Sequence, residues 1–231
     1  MEKNKLDGFI SRYTLGGNIE SVMVKSTDTN ISVRMISEDK TLLGEVKVNE
    51  STFPNGEFGI YTTSQLKSLL SVLDSNVDIT EGKGSIVFSD KGTEVNYMLA
   101  APSVIPPVPD LKQLPEFNIE IPLNDDFVSK FVKSKGALSD ADTFTFMSKG
   151  GKSKIVLNYS NINTNRISMN VDAVCEGDVE GISFSSEYLK GILLANKGAG
   201  TSSLKISTDG LAKLHFVDGD YESEYFLVEM K

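Results

Sequence analysis

Along this chain the apolar positions alternate between a helical and a strand-like period. Residues 5–14 place Leu6, Phe9, Ile10 and Tyr13 at i, i+3, i+4 and i+7, which predicts a short amphipathic helix interrupted by Gly8. Strand-like runs follow at 21–25, 30–36, 41–48 and 58–61, the last after an Asn55-Gly56 turn. Leu66, Leu69, Leu70 and Leu73 return to helical spacing, with Thr62 and Gln65 set for a capping box. Strands at 77–81, 85–89 and 94–100 complete this half, separated by Gly82-Lys83-Gly84 and Asp90-Lys91-Gly92.

Residues 101–116, APSVIPPVPDLKQLPE, hold five of the seven prolines. Proline fixes φ and removes a ladder donor, so this stretch reads as a semi-rigid extended connector. It divides the chain into domains at 1–100 and 117–231. In the second domain the order recurs. A strand at 117–121 precedes a helix from about Asp125, capped by Asn124, with Phe127, Val128, Phe131 and Val132 on one face. Strands are expected at 143–147, 154–159, 166–174 and 181–184. A helix carrying Leu189, Ile192 and Leu193 follows, then strands at 203–207, 212–217 and 222–229.

The duplication can be read residue by residue: 61–70 aligns with 184–193 at a constant offset of 123, and Phe88 and Asp90 meet Phe216 and Asp218 at 128. Four helix-plus-strands units then make two similar α+β domains, each with two helices packed on antiparallel sheet.

Candidate catalytic chemistry is sparse. The lone His215 alternates with Leu214 and Phe216 in a strand and reads as a solvated strand residue, and the single Cys175 has no nearby His. One His and one Cys cannot assemble a nitrogen- or sulfur-ligated metal site, so neither metal nor cofactor is expected. Gly151-Lys152-Ser153 imitates the end of a phosphate loop, but Phe146 stands where the earlier glycine belongs; a hairpin turn is expected instead. Asp218-Gly219-Asp220 also reads as a turn rather than a calcium loop. A single cysteine, and an N-terminus without an apolar run, point to a cytoplasmic protein without a membrane partner.

The net charge of −9 argues against nucleic acid until its distribution is considered. The four helical windows carry eight basic against five acidic residues, leaving fifteen against twenty-seven elsewhere. Their polar faces present Arg12, Lys67, Lys130, Lys133, Lys135, Lys190 and Lys197 among short serines. Such a basic minority suits contact with phosphate backbone and no reading of bases.

This pattern resembles the trimeric DNA sliding clamps, the polymerase processivity factors, with those of large tailed phages nearest and the proliferating-cell-nuclear-antigen type more distant. The resemblance covers the whole chain. It rests on length, four helix-plus-strands units, the Pro-rich connector, acidic total charge and basic helices. It implies a non-enzymatic homotrimeric ring of six similar domains, pseudo-six-fold, in which the helices encircle duplex DNA in the cytoplasm (that of the host, if phage-encoded). The seven bases named above would face phosphates, Lys135 and Lys197 from near helix ends. DNA polymerase, clamp loader and, in phages, the late-transcription machinery would dock through peptides. The matching apolar positions are Leu42 and Leu43, connector residues Val104, Ile105, Val108, Leu111 and Leu114, and the tail Phe226, Val228 and Met230. Subunits would join through Val95, Tyr97 and Leu99 of one copy and Ile167, Met169 and Val171 of the next. The alternatives are a viral processivity factor of the same fold that forms no ring, and a duplicated α+β enzyme with a cleft at the domain junction.

Overall fold

Both expected periods are realised as secondary structure. The computed structural model describes residues 1–50, 52–74, 76–200 and 202–230. Its elements are α1 (Lys3–Thr14), β1 (Val22–Ser26), β2 (Ile31–Ile36), β3 (Leu42–Val48), β4 (Gly56–Ile60), α2 (Thr63–Leu70), β5 (Asp78–Gly82), β6 (Ser85–Ser89) and β7 (Glu94–Met98). After a single 3-10 turn at Pro102–Val104 come β8 (Ile119–Pro122), α3 (Asp125–Ala137), β9 (Thr143–Lys149), β10 (Lys152–Leu157), β11 (Ile167–Val171), β12 (Val174–Cys175) and β13 (Val179–Ser185). The chain ends with α4 (Ser186–Ala195), β14 (Ser203–Ser207), β15 (Leu211–Asp218) and β16 (Tyr221–Val228). The helices α2 and α4 begin 123 residues apart, the offset of the sequence repeat.

The chain forms two compact units. The first comprises Met1–Ser37, Leu43–Pro109 and Val217–Ser223; the second comprises Glu38–Leu42, Asp110–Phe216 and Glu224–Lys231. The division falls inside the connector, between Pro109 and Asp110. The first unit takes in 217–223 because that turn is bonded to α1 and to the end of β3: Tyr221 Oη donates to Lys5 O (2.8 Å) and Asp220 O accepts from the Asn49 amide (2.9 Å).

In the first unit, strands run in the order β3-β2-β1-β4, antiparallel, and β5-β6-β7 form a second sheet. Burial in β1 and β2 alternates along the strand, as a sheet with one covered face requires. Phe53 touches Phe58 of β4 (5.5 Å between ring centroids) and Phe88 of β6 (6.4 Å), tying the two sheets together. In the second unit the orders are β12-β8-β14-β15-β16 and β11-β10-β9-β13. A run of rings, Phe127–Phe131–Phe144–Phe184, passes from α3 through β9 to β13 at centroid spacings of 6.0, 5.7 and 5.6 Å. Burying each ring contributes about 2–3 kcal/mol. Helix propensities differ by less than about 1 kcal/mol per residue, so packing, not propensity, fixes where these helices sit.

The helix starts follow two chemistries. Asn124 Oδ1 accepts from the Phe127 amide (2.8 Å) and Ser185 Oγ from the Tyr188 amide (3.3 Å), ordinary side-chain caps on α3 and α4. The capping box expected at α2 does not form. Thr62 makes no side-chain cap bond; its backbone is held by Tyr97 Oη of β7, and Glu20 Oε2 accepts from the Ser64 amide instead (2.9 Å). At the far end of α1, Leu15 is fully buried with φ at 49°, and Gly16 and Gly17 continue the left-handed exit.

Candidate nucleic-acid interface

Each unit packs its two helices against each other, α1 on α2 and α3 on α4, which leaves one polar flank per helix. On α2 that flank presents Lys67, exposed and without an ion pair among the described residues. Its serines are less available than the sequence suggests. Ser68 Oγ donates to Ser64 O (3.0 Å) and Ser71 Oγ to Ser68 O (2.6 Å), spending their donors on the helix's own carbonyls. On α3, Lys130 is exposed and pairs with Asp126 one turn back (2.7 Å), while Lys133 is exposed and has no ion pair among the described residues. On α4, Lys190 is half-buried with Glu187 at 3.4 Å, and Lys197 is exposed just past the helix.

Two of the expected outward bases are buried. Lys135 is 5% exposed: Nζ donates to Ser139 O (2.6 Å) and lies 3.3 Å from Glu187 of α4, so it locks the end of α3 to the start of α4. Arg12 is 7% exposed: its guanidinium reaches Asp218 (2.6 Å), donates to Gly8 O (3.1 Å) and stacks on Tyr221 at 3.9 Å. Desolvating a guanidinium or ammonium requires a fixed acid or carbonyl nearby, and both have one. These two side chains are structural cations, not open phosphate contacts.

Lys5, which the sequence reading passed over, is committed in the same way. It pairs with Asp220 (2.6 Å) and Glu50 (3.3 Å), and the Asp220 hydrogen bond raises its pKa above the ordinary lysine value. Lys3 Nζ donates to Leu73 O beyond the end of α2 (2.7 Å). The open bases of the helical faces are therefore Lys67, Lys130, Lys133 and Lys197, with Lys190 partly available.

The expected peptide-pocket residues separate by exposure. Leu42, Leu43, Ile105 and Phe226 are buried and belong to the cores of their units. Val104, Leu111 and Leu114 are exposed, and Val108, Val228 and Met230 half-exposed. The tail is held by backbone bonds, Val228 N to Thr41 O and Met230 N to Ser183 O, each 2.8 Å. In the second unit a groove of about 810 Å³ is lined by Leu114, Pro115 and Phe117 and by the outward residues Lys205, Lys213 and His215. Of the pocket residues expected from sequence, Leu114 reaches it. Phe117 and the strand lysines were missed because each carries only the alternation common to every strand.

The expected subunit-joint residues lie on two edge strands, with Leu99 just past the end of the first: β7 ends the β5-β6-β7 sheet and β11 ends the β11-β10-β9-β13 sheet. Val95 and Tyr97 are buried in the first unit, and Leu99, Ile167, Met169 and Val171 are half-exposed. The motifs set aside as turns are turns. Gly150 and Gly151, with φ of 57° and 74°, make the β9–β10 hairpin, and Gly219, at 58°, makes the β15–β16 one. Among the described residues no cluster of His, Cys, Asp or Glu could hold a metal ion, and no helix is long and apolar enough to cross a membrane.

A scan against protein-family models and a search of curated proteins each give no match. Solved structures do match, over the full length. Proliferating cellular nuclear antigen from Entamoeba histolytica superposes with a TM-score of 0.75 at 13% identity, covering 100% of this chain and 96% of that one. The A. fulgidus PCNA, solved with the C-terminal region of FEN-1 bound, gives 0.75 at 15% identity, covering 100% and 97%. At such identities the likeness concerns the fold: this chain has the α+β fold of the PCNA-type DNA clamps, with four helices on antiparallel sheets.

Proposed function

We propose that this chain is a sliding clamp of the type made by large tailed phages: three copies close into a ring around duplex DNA and tether a replicative DNA polymerase. The observation that carries this reading is the extent of the fold likeness, which takes in the whole of this chain and nearly the whole of two PCNA chains. The exposed lysines of α2 and α3 support it. A ring needs weak, sequence-blind attraction to phosphates, and four or five open bases in an acidic protein supply that without arresting motion along DNA. Copies join through the edges of β7 and β11, two strands that would otherwise stand unpaired. Polymerase, clamp loader and late-transcription factors dock by short peptides at the exposed connector residues Val104, Leu111 and Leu114, as the A. fulgidus protein takes a terminal region of FEN-1.

Sedimentation equilibrium tests closure directly: the expected mass is about three times the 25.2 kDa chain, and a single-chain mass at tens of micromolar refutes the ring. Replacing Lys67, Lys130 and Lys133 with Ala should leave that mass unchanged. The slope of log affinity against log salt on duplex DNA should fall by roughly two to three, with polymerase stimulation reduced several-fold. An unchanged slope would remove these residues from the DNA surface.

A further inference from the structure

The two edge strands carry enough detail to choose how they meet. Just past β7 the Leu99 amide donates to Gly84 O (3.0 Å), and the pairing of β7 with β6 alternates from there. Val95 and Tyr97 therefore turn their backbone groups to β6, while Glu94, Asn96 and Met98 turn theirs to the open side. In β10 the Asn158 amide donates to Thr143 O (3.1 Å), so the even positions of β10 bond β9 and the odd ones bond β11. Ile167, Met169 and Val171 are thus bonded inward, and Ser168 and Asn170 present open backbone groups.

Side chains obey the same parity. Tyr97 Oη reaches Thr62 at the head of α2, and Ser134 of α3 donates to Met169 Sδ (3.6 Å), so the odd residues of both strands face helices. Glu94, Asn96, Met98, Ser168 and Asn170 point to solvent. An antiparallel joint must then match even with even and odd with odd. Two alignments overlap equally: Asn96 opposite Ser168, or Asn96 opposite Asn170.

Charge separates them. The second alignment sets Glu94 against Asp172, like charges directly opposed. The first sets Glu94 against Asn170, whose partner on β10 is Lys154, two strand spacings or roughly 10 Å from the Glu94 backbone and within reach of both side chains. Lys154 is exposed and has no ion pair among the described residues. It shares one face of the hairpin with Lys152 and Lys149, which oppose each other in register. These lysines line a groove of about 510 Å³ together with Asp178, which accepts from the Gly150 amide, and Glu180. Asp178 and Glu180 stand beside the β9 side of this lysine group, and in the first register Glu94 of the incoming strand comes beside Lys154 on the β11 side.

We infer that β7 of one copy joins β11 of the next in the Asn96–Ser168 register, selected by attraction between Glu94 and Lys154 and by repulsion between Glu94 and Asp172 in the alternative. This rests on the self-assembly reading above and adds to it the register and the charges that set it.

Cysteine pairs decide the register, in a Cys175→Ser background. Asn96→Cys with Ser168→Cys places two Cα atoms about 5.5 Å apart, suited to a disulfide. Mild oxidation should then give covalent trimers on a denaturing, non-reducing gel, and Asn96→Cys with Asn170→Cys should give single chains. The reverse outcome overturns the register. Failure of both pairs in a protein that sediments as a trimer places the joint elsewhere, and a wild-type protein that sediments as a monomer removes the self-assembly reading along with it. Lys154→Glu should weaken association roughly tenfold, Glu94→Lys in addition should restore it, and Asp172→Asn should leave it unchanged. No recovery in the charge-swapped protein strikes Lys154 from the selection.

Discussion

Gly8 lies inside α1, where alanine would favour the helix by about 1 kcal/mol. A Cβ there would stand 2.7 Å from Tyr221 Oη and 3.2 Å from an Arg12 nitrogen. The tyrosine cannot easily withdraw, because its hydroxyl donates to Lys5 O and Arg12 stacks on its ring. The glycine is thus a docking notch. Gly8→Ala should lower stability by about 1–2 kcal/mol in urea unfolding, and adding Tyr221→Phe, which deletes the obstructing oxygen, should return part of the loss. A stabilised single mutant would show that the notch has no role. Lys135 makes a companion case. Lys135→Met keeps the aliphatic stem but loses the bonds to Ser139 and Glu187, so stability should fall by about 1–2 kcal/mol, while DNA association, measured at equal folded fraction, stays as it was.

Between elements, polar contacts from neighbouring segments finish what local sequence leaves open. Asp90, in the β6–β7 turn, accepts from the Asp74 amide beyond α2 (2.7 Å) and from the Gly92 and Thr93 amides (3.1 and 2.9 Å). These bonds, the Asp74 amide first, hold its carboxyl below the ordinary aspartate value. A lowered folded pKa means the contribution is complete above about pH 4 and is lost as pH falls through the folded value. Asp90→Asn should therefore lower Tm at pH 7, and the gap should close as the pH is taken below about 4. A gap constant down to pH 2 would mean the ionised carboxylate is not what ties the turn to α2. Caps divide in a comparable way. Asn124 was legible because its acceptor bonds the amide three residues on; Ser185 caps α4 in the same way but stood out from the sequence only as one serine of two. Glu20 was not legible, because it reaches α2 from 44 residues away.

For the whole molecule, the duplication at an offset of 123 was visible in the bare pattern of apolar residues, and with it the α+β class and the four helices. Strand ends moved by a residue or two, and 166–174 proved to be two strands, β11 and β12. The basic helical faces were legible as a list but not as a surface. Five of the seven bases are open or partly open; Arg12 and Lys135 are enclosed. On the proposed clamp reading, loss of DNA retention follows the exposed lysines and not those two, a contrast that Lys135→Met beside Lys133→Ala measures.

The sequence alone determined the periods, the repeat, the turns at Gly150-Gly151 and Gly219, and the Asn124 cap, because each depends on residues within a few positions of one another. Only the tertiary structure decided which cations are open. Arg12 finds Asp218 at a separation of 206 residues, and Lys135 meets Glu187 on a different helix. A charge is buried or exposed according to whether a distant chain segment brings it a counter-charge, and nothing in its own neighbourhood records that.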